Sequence, residues 1–304
     1  SMEGLYFEAS STTPFHFLTQ SELSTAPSRA QRELPYNSFN IQEGVSHLQL
    51  LGVKYYMATT ASAIEAAKTE PRLTQVANET FTYSDTAGTP QTTNWAVFEV
   101  ADSELVVPLE NDPVVVTDAD DHIDGWVYSK ERLPPTEVQL EAGIPGSKAP
   151  GPAVTWFNDP TKWDVLLATS GPDDWPRATA ADASSEKQPN PPSKVSNIVT
   201  TQDSIEFDVD KVGVPVLVKI SYFPNWHASG AEGPYRVSPN FMVVVPTEKH
   251  VSMGYGYSKY DILGWLATII GLVGLGGLAV LDHGRRLRDE GEPSKESSLL
   301  SAEP

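Results

Sequence analysis

One short segment of the chain carries the residue types of a metal site. Asp118, Asp120 and Asp121 precede His122, and carboxylate oxygens are the ligands that hard cations such as Ca²⁺ prefer. No second motif supplies further ligands, and an acidic loop arises easily in a chain whose net charge is −19. The sequence therefore favours a solvated loop at this point and predicts no metal and no cofactor.

The common catalytic patterns are also missing from the sequence. The six histidines form no HxH or HExxH pair, so zinc has no support. The chain contains no GxSxG, P-loop or GxGxxG pattern. It also has no cysteine, which removes disulfides and a thiolate nucleophile together. We therefore predict no catalytic residue in this chain.

A different chemistry is suggested by a cluster of aromatic and polar residues on two turns. Trp226, Tyr222 and Arg236 could form a platform for a sugar ring, with stacking on its apolar faces and hydrogen bonds to its hydroxyls. The alternative is structural: Trp226 would fill the end of a β-sandwich, and Arg236 would pair across strands. The structural alternative is favoured. The candidate ligand-binding residues are Tyr222, Trp226, Arg236 and Asn240.

These turns lie in a region that is patterned as short strands separated by turn residues. The strands are expected at 205–209, 214–223, 241–245 and 251–257. Short strands at this spacing are typical of an antiparallel sandwich.

Upstream of this region, helix and strand signals alternate. Gly52 is placed to cap a helix over 43–51, and Thr60 to cap a helix over 61–68. Runs of aromatic and β-branched residues predict strands. These strands are expected at 53–57, 72–77, 95–100 and 114–117. The stretch to about residue 117 therefore has the pattern of a small α/β subdomain.

The expected fold class is α+β, with a small α/β subdomain plus an antiparallel β-sandwich, followed by one transmembrane helix. Between the two folded parts the chain is rich in loops. One helix is expected there from Asp159 to Leu167, because Pro160 suits a first helical turn. The expected divisions are 1–117 for a membrane-proximal segment and the α/β subdomain, 118–193 for a loop-rich insertion and linker, 194–257 for the sandwich, 258–281 for the transmembrane helix and 282–304 for a cytoplasmic tail.

The transmembrane helix is predicted by twenty uncharged residues, 262–281. At ~1.5 Å per residue they span roughly 30 Å, the thickness of a hydrocarbon core. Aromatic residues such as Trp265 at the start resemble an interfacial belt. The arginines from Arg285 to Arg288 favour a cytoplasmic tail, with the large region outside. A buried core helix is the alternative, which this length and these flanks disfavour.

Two features suggest further membrane helices upstream. Residues 1–30 lack the apolar run of a signal peptide, so a large outer region needs preceding helices to start its crossing. Gly264, Ala267, Gly271 and Gly274 put small residues on one helix face, as in membrane helices that pack closely. Glycine is also simply common in such helices. We therefore expect this chain to be the last part of a multi-span membrane protein.

Two stretches of the sequence resemble a known family. Residues 216–272, beginning VLVKISYFPNWHASG, resemble the closing module of the YfhO-type bacterial membrane proteins, in which a strand ends in a Tyr-x-Pro-x-Trp turn and a hairpin precedes the last helix. HLQLLGVKYYMA at 47–58 and NWAVFEV at 94–100 are similar to two earlier strands of that family. The resemblance extends over about 47–110 and 194–281.

This resemblance implies a GT-C-like, multi-span glycosyltransferase that uses a polyprenyl-linked sugar donor. The acidic catalytic motif of the family lies in an early extracytoplasmic loop that this chain does not contain, so no catalytic residue is carried over. The expected function is therefore an extracytoplasmic accessory region, in the bacterial cytoplasmic membrane, that positions or covers the acceptor of the sugar transfer.

Two other functions remain open from the sequence. One is a non-catalytic envelope scaffold that binds partner proteins, and the other is a tail-anchored cytoplasmic protein that starts at Met2. The expected partners are the membrane through residues 262–281, upstream helices of the same protein, and a lipid-linked sugar or glycan acceptor. With 40 acidic against 21 basic residues, the chain has the wrong charge for a phosphate backbone, which excludes nucleic acid.

Overall fold

The computed structural model describes residues 11–84, 86–119, 123–141, 143 and 145–291. The chain divides into two compact units, Ser1–Tyr255 and Gly256–Pro304. The first is α+β with mostly antiparallel sheets, and the second carries one long apolar helix. The coarse fold class predicted from the sequence is therefore confirmed.

The elements are numbered in chain order. The helices are α1 (Thr13–Leu23), α2 (Ile41–Leu50), α3 (Ala61–Thr69), α4 (Ile123–Trp126), α5 (Glu137–Glu141), α6 (Pro152–Phe157) and α7 (Lys259–Gly291). The strands are β1 (Tyr55–Ala58), β2 (Leu73–Ser84), β3 (Pro90–Val100), β4 (Val106–Pro108), β5 (Val114–Val116), β6 (Tyr128–Arg132), β7 (Lys148–Pro150), β8 (Leu167–Ala168), β9 (Arg177–Ala178), β10 (Val195–Thr200), β11 (Ser204–Val209), β12 (Val216–Val218), β13 (Trp226–Ser229), β14 (Ala231–Val237), β15 (Phe241–Pro246) and β16 (His250–Tyr255).

The first sheet is antiparallel, with strand order β1-β3-β2. Its inner face packs on two helices, where Phe98 lies in one buried cluster with Leu48 of α2 and Ile64 of α3. The side chain of Asn40 accepts hydrogen bonds from the first backbone N–H groups of α2. Gly52, with φ of +67°, follows the end of that helix in the left-handed region that glycine tolerates.

Strand β2 is longer than the strand predicted at 72–77. It continues to Ser84, which pairs with Pro90 of β3. Beyond its first residue β2 is exposed, so its sequence lacks the alternation of apolar and polar residues by which a half-buried strand is recognised. The helices and the strand predicted between residues 43 and 68 agree with α2, β1 and α3.

Seven strands form a second sheet in the order β4-β12-β15-β14-β8-β5-β9. Strand β5 runs parallel to β8 and β9, and the other pairs are antiparallel. The strands of this sheet come from all three expected divisions of the first unit, 1–117, 118–193 and 194–257. Val114, Leu167 and Val243, one from each stretch, are buried in the same hydrophobic cluster.

The helix predicted from Asp159 to Leu167 is wrong beyond its first turn. A 3₁₀ turn spans Pro160–Lys162, where the side chain of Asp159 accepts a hydrogen bond from the N–H of Thr161 at 3.2 Å. The chain then extends, because Leu167 is buried in β8. Its N–H donates to the hydroxyl of Ser238, and its C=O accepts from the Ser238 N–H.

The third sheet is antiparallel, with strand order β10-β11-β16-β13. One buried cluster joins it to the second sheet: Phe207 and Met253 come from the third sheet, and Val216 and Met242 from the second. The strands predicted at 205–209, 241–245 and 251–257 correspond to β11, β15 and β16.

The strand predicted over 214–223 is shorter in the structure. Strand β12 ends at Val218, and the amine of Lys219 donates to the backbone C=O of Gln49 at 2.8 Å. Burial of this side chain lowers the pKa of Lys219. The residues that follow, 220–223, are irregular because the chain leaves the sheet here.

Helix α7 makes up most of the second unit. The N–H of Ser258 donates to Oδ2 of Asp261 at 2.8 Å, and the N–H of Asp261 donates to the Ser258 hydroxyl at 3.3 Å, so the two residues cap the helix reciprocally. The segment Lys259–His283 has a mean hydropathy of 2.0 and is long enough to cross a membrane. A core helix would be mostly buried within the protein, whereas the most apolar window of this segment is not buried. The helix suits membrane anchoring, and it extends to Gly291 rather than ending at 281.

Candidate functional site

A cleft of about 590 Å³ lies in the first unit. It is bounded by the turn between β10 and β11, the irregular segment after β12, the first residue of β13 and the last residue of β16. The residues that line it are Gln202, Asp203, Ile220, Ser221, Phe223, Trp226 and Tyr255.

Three aromatic rings form one side of the cleft. Trp226 and Tyr255 face each other in the register of β13 and β16, with ring centroids 5.5 Å apart and ring planes at 80°. Phe223 meets the same Tyr255 ring at 6.4 Å and 77°. The N–H of Trp226 donates to the C=O of Phe223 at 3.1 Å, which closes the turn that brings both rings to the cleft.

The burial of Trp226 lies between the two expectations from the sequence. Its side chain packs against the cluster shared by the second and third sheets, yet it is only partly buried. Tyr255 is 47% exposed. Trp226 is therefore anchored on one side and open to the cleft on the other, so part of its ring surface remains available to a ligand.

Three polar residues also line the cleft: Gln202, Asp203 and Ser221. The backbone C=O of Asp203 accepts a hydrogen bond from the N–H of Tyr255 at 2.7 Å, which fixes the β10–β11 turn against the aromatic side. The side chain of Asp203 accepts from the Thr201 hydroxyl at 3.1 Å. Gln202 is exposed beside it, and the hydroxyl of Ser221 lines the cleft from the segment after β12.

Arg236 and Asn240 are buried and are absent from the cleft lining. The Nε of Arg236 donates to Oδ1 of Asn240 at 2.8 Å, and the guanidinium carbon lies 5.2 Å from the centre of the Trp126 ring. Nδ2 of Asn240 donates to the Thr12 hydroxyl at 2.9 Å, which shares a hydrogen bond of 2.8 Å with the hydroxyl of Ser221. These contacts support the wall of the cleft from behind, which is a positioning role rather than ligand contact.

Tyr222 links the irregular segment after β12 to Asn240. Its side chain is partly buried against the cluster between the two sheets. Its backbone N–H donates to the C=O of Asn240 at 2.9 Å. Of the four residues predicted to bind a ligand, the structure brings Trp226 into the cleft lining, whereas Tyr222, Arg236 and Asn240 lie behind it.

Tyr255 and Asp203 are two of the six cleft residues that sequence reasoning missed. Tyr255 stands close to the apolar helix in the sequence, where the pattern favours an interfacial aromatic belt rather than a cleft. Asp203 has no local signal, since the aromatic residues of the cleft lie twenty or more residues away along the chain. Strand β13 is not predicted from the sequence. It pairs Trp226 with Tyr255, whose N–H donates to the C=O of Asp203, so a prediction of this strand would have indicated both missed residues.

A second arrangement has the residue types of an acid–base site but is enclosed. Nδ1 of His47 lies 2.6 Å from Oε2 of Glu22, and Nε2 lies 3.0 Å from the carbonyl oxygen of Phe157. Because a carbonyl oxygen only accepts, Nε2 carries a hydrogen. The His47 ring stacks on Phe157 at 4.0 Å, and both side chains of the pair are at most 4% exposed. The pair therefore ties α1, α2 and the end of α6 together, with no open face for a substrate.

The acidic segment predicted to be a solvated loop is only partly described. Oδ1 of Asp118 accepts a hydrogen bond from the N–H of Ala180 at 2.9 Å. Asp120, Asp121 and His122 lie outside the described residues. Within the described ranges, no group of three or more histidine and acidic side chains is placed to hold a metal ion.

Comparison with protein-family models, curated proteins and solved structures gives no match for this chain. The structural grounds for a function are therefore the geometry of the cleft and the apolar helix.

Proposed function

We propose that this chain is a membrane-anchored region that binds carbohydrate in the cleft beside Trp226. The observation that carries the proposal is the composition of the cleft, which three aromatic residues line together with an aspartate, a glutamine and a serine. A sugar ring has the matching surfaces, with apolar C–H faces and hydroxyls around its rim. The cleft volume of 590 Å³ falls in the ordinary range for small-molecule sites and suits a short saccharide.

The resemblance to the YfhO-type proteins supports the same proposal. In a GT-C-like glycosyltransferase, an outer region of this kind would position or cover the acceptor, or the sugar of a polyprenyl-linked donor. The support from this chain is its connectivity, since β16, which contributes Tyr255 to the cleft, is followed after three residues by α7. A ligand carried on a lipid would be recognised by the part of the domain that adjoins the anchor in sequence.

The same proposal includes a β-sandwich in the first unit and an extracytoplasmic location for the large region. The cluster shared by the second and third sheets supports a β-sandwich at the end of the first unit. The arginines after the apolar run support a tail in the bacterial cytoplasm and a large extracytoplasmic region. Further membrane helices of the same protein would then contact the small face around Gly271.

A titration of the full chain in lipid nanodiscs tests the carbohydrate proposal. Maltotriose, mannotriose, galactotriose and tri-N-acetylchitotriose are titrated by calorimetry into the wild-type chain and into two variants. Trp226→Ala should weaken binding about tenfold or more, equivalent to roughly 1.4 kcal/mol. Trp95→Ala is the matched control, because Trp95 is 39% exposed and lies outside the cleft. Binding that is equally weakened by both variants, or no binding of any of the four, would contradict the proposal.

A second function, the envelope scaffold that binds partner proteins, is favoured by one exposed surface. In the pairing of β1, β3 and β2, the side of the sheet away from α2 and α3 carries Tyr55, Phe81, Tyr83 and Trp95, which are 53%, 53%, 54% and 39% exposed. Exposed aromatic patches mark interaction surfaces. Loss of a physiological complex in Phe81→Ser, together with no saccharide binding by the wild-type chain, would favour the scaffold over the carbohydrate function.

A further inference from the structure

The cleft contains a negatively charged side chain, which the binding of a neutral sugar would not require. Asp203 is the only charged side chain among the described residues that line it. No lysine or arginine of the described part of the chain forms an ion pair with this carboxylate, which accepts a hydrogen bond from the neutral Thr201 hydroxyl at 3.1 Å. An exposed carboxylate of this kind keeps its charge available to a ligand.

The aromatic rings of the cleft also favour a positively charged ligand. Tyr255 stands nearly perpendicular to both Trp226 and Phe223, so ring faces and ring edges are presented in more than one direction. The faces of such rings attract an ammonium group within ~6 Å, most strongly when the ring is tryptophan. Among the described residues, neither a lysine nor an arginine lines the cleft to compete for these faces.

We propose that the cleft prefers saccharides that carry a free, protonated amino group over neutral and acidic ones. This inference rests on the proposed carbohydrate function and names the class of sugar that the same site selects. The apolar face of the sugar would stack on Trp226, and the ammonium group would approach the carboxylate of Asp203. Acidic sugars are disfavoured both by Asp203 and by the net charge of −19 on the chain.

Two trisaccharides of the same ring and linkage test this preference. Chitotriose carries free amino groups, and tri-N-acetylchitotriose carries neutral acetamido groups in their place. Both are titrated by calorimetry into the full chain in nanodiscs of zwitterionic lipid, in mildly acidic buffer where the amines are protonated. We expect chitotriose to bind about fivefold more tightly, which is the upper end for an exposed ion pair.

Two variants assign the preference to one carboxylate. Asp203→Asn keeps the shape of the side chain and should make the two trisaccharides bind alike, with the affinity for tri-N-acetylchitotriose unchanged. Asp173→Asn removes the same charge from an exposed position outside the cleft, where Asp173 pairs with Arg177 at 3.6 Å. It should leave the fivefold preference intact.

The outcomes separate this inference from the function on which it rests. Equal affinities in the wild-type chain, or a preference that survives in Asp203→Asn, would overturn the inference and leave carbohydrate binding in place. Binding of a neutral trisaccharide such as maltotriose, with neither chitotriose compound bound, would do the same. Failure of every saccharide to bind would remove both.

Discussion

Tyr255 faces Trp226 across β16 and β13, with the two rings 5.5 Å apart and nearly perpendicular. The pair joins the last strand of the first unit to a turn that begins thirty residues earlier in the sequence. Because one side of Trp226 packs on the hydrophobic cluster and the other meets the cleft, the residue is placed both for packing and for the proposed ligand contact. Its role as a ligand contact can therefore be separated from its role in stability.

The first prediction compares two tryptophans. Trp226→Ala should lower the free energy of unfolding by about 1–2 kcal/mol, since only part of its surface leaves water on folding. Trp126→Ala should cost about 3–5 kcal/mol, because Trp126 is fully buried, donates to the C=O of Pro239 at 2.7 Å and lies under Arg236. Chemical denaturation measures both values. Equal costs would place Trp226 in the core and weaken its assignment to the cleft.

The second prediction concerns the buried pair of Glu22 and His47. Glu22→Gln should lower the free energy of unfolding by about 1–3 kcal/mol, because the buried imidazole of His47 loses its carboxylate hydrogen-bond partner while it stays buried. Nδ2 of Asn37 also donates to Oε1 of Glu22 at 2.8 Å, so the carboxylate is held at both oxygens. A double-mutant cycle with His47→Gln, followed by denaturation, should give a strong coupling between the two positions.

An exposed pair is the control for that cycle. Nδ1 of His250 lies 2.7 Å from Oδ1 of Asp208, and this hydrogen bond raises the pKa of His250. Because water screens this pair, Asp208→Asn should change the stability far less than Glu22→Gln does. If the two substitutions had equal effects, the burial of the Glu22–His47 pair would not matter to its strength.

The third prediction is a loss of stability in alkaline solution. Burial raises the pKa of Tyr56 to about 12, and its hydroxyl donates to the C=O of Leu23 at 2.7 Å. Above the ordinary tyrosine pKa the unfolded chain ionises while the folded chain does not, so stability falls as the pH rises towards the folded value. The loss should amount to about 2–3 kcal/mol.

Tyr56→Phe isolates that contribution from the other tyrosines. The variant should be about 1 kcal/mol less stable at neutral pH, because it loses the hydrogen bond to Leu23. Its stability should then fall less steeply than that of the wild type in alkaline buffer. Parallel curves for the two proteins in denaturation experiments would show that Tyr56 ionises equally in both states.

Sequence reasoning succeeded where an element has a strong local signal. The helices around Leu48 and Ile64 and the strands β11 and β16 show periodic burial, and β15 is a continuous apolar run; both patterns are visible along the chain itself. Helix α7 was found from the length of its apolar run. In each of these elements the apolar residues themselves mark the surface that leaves water.

The missed elements depend on partners that are distant in sequence. Strand β8 consists of two residues that are strand only because Val114 and Val237 lie beside them. The cleft is of the same kind: Asp203 and Tyr255 meet through a backbone hydrogen bond between strand ends, which no local pattern encodes. The buried positions of Arg236 and Asn240 likewise follow from their contacts with Trp126 and Thr12.

The fourth prediction is the orientation of the membrane anchor. The chain has no cysteine, so single cysteines can be introduced without competing thiols. Ser185→Cys lies at an exposed position of the first unit, and Ser297→Cys lies in the tail after the apolar run. In intact bacterial cells, a membrane-impermeant maleimide should label the first and not the second, because of the arginines that follow the helix. The reverse pattern would place the first unit in the cytoplasm.

The most direct test of carbohydrate binding is a fluorine NMR titration at the cleft itself. The full chain is labelled with 5-fluorotryptophan, which gives one signal for each of its seven tryptophans, and the signals are assigned by Trp→Phe substitution. We predict that tri-N-acetylchitotriose or another trisaccharide of the panel shifts the signal of Trp226 to saturation and leaves that of Trp95 in place. A shift at Trp95 instead of Trp226, or no shift with any saccharide, would contradict the account.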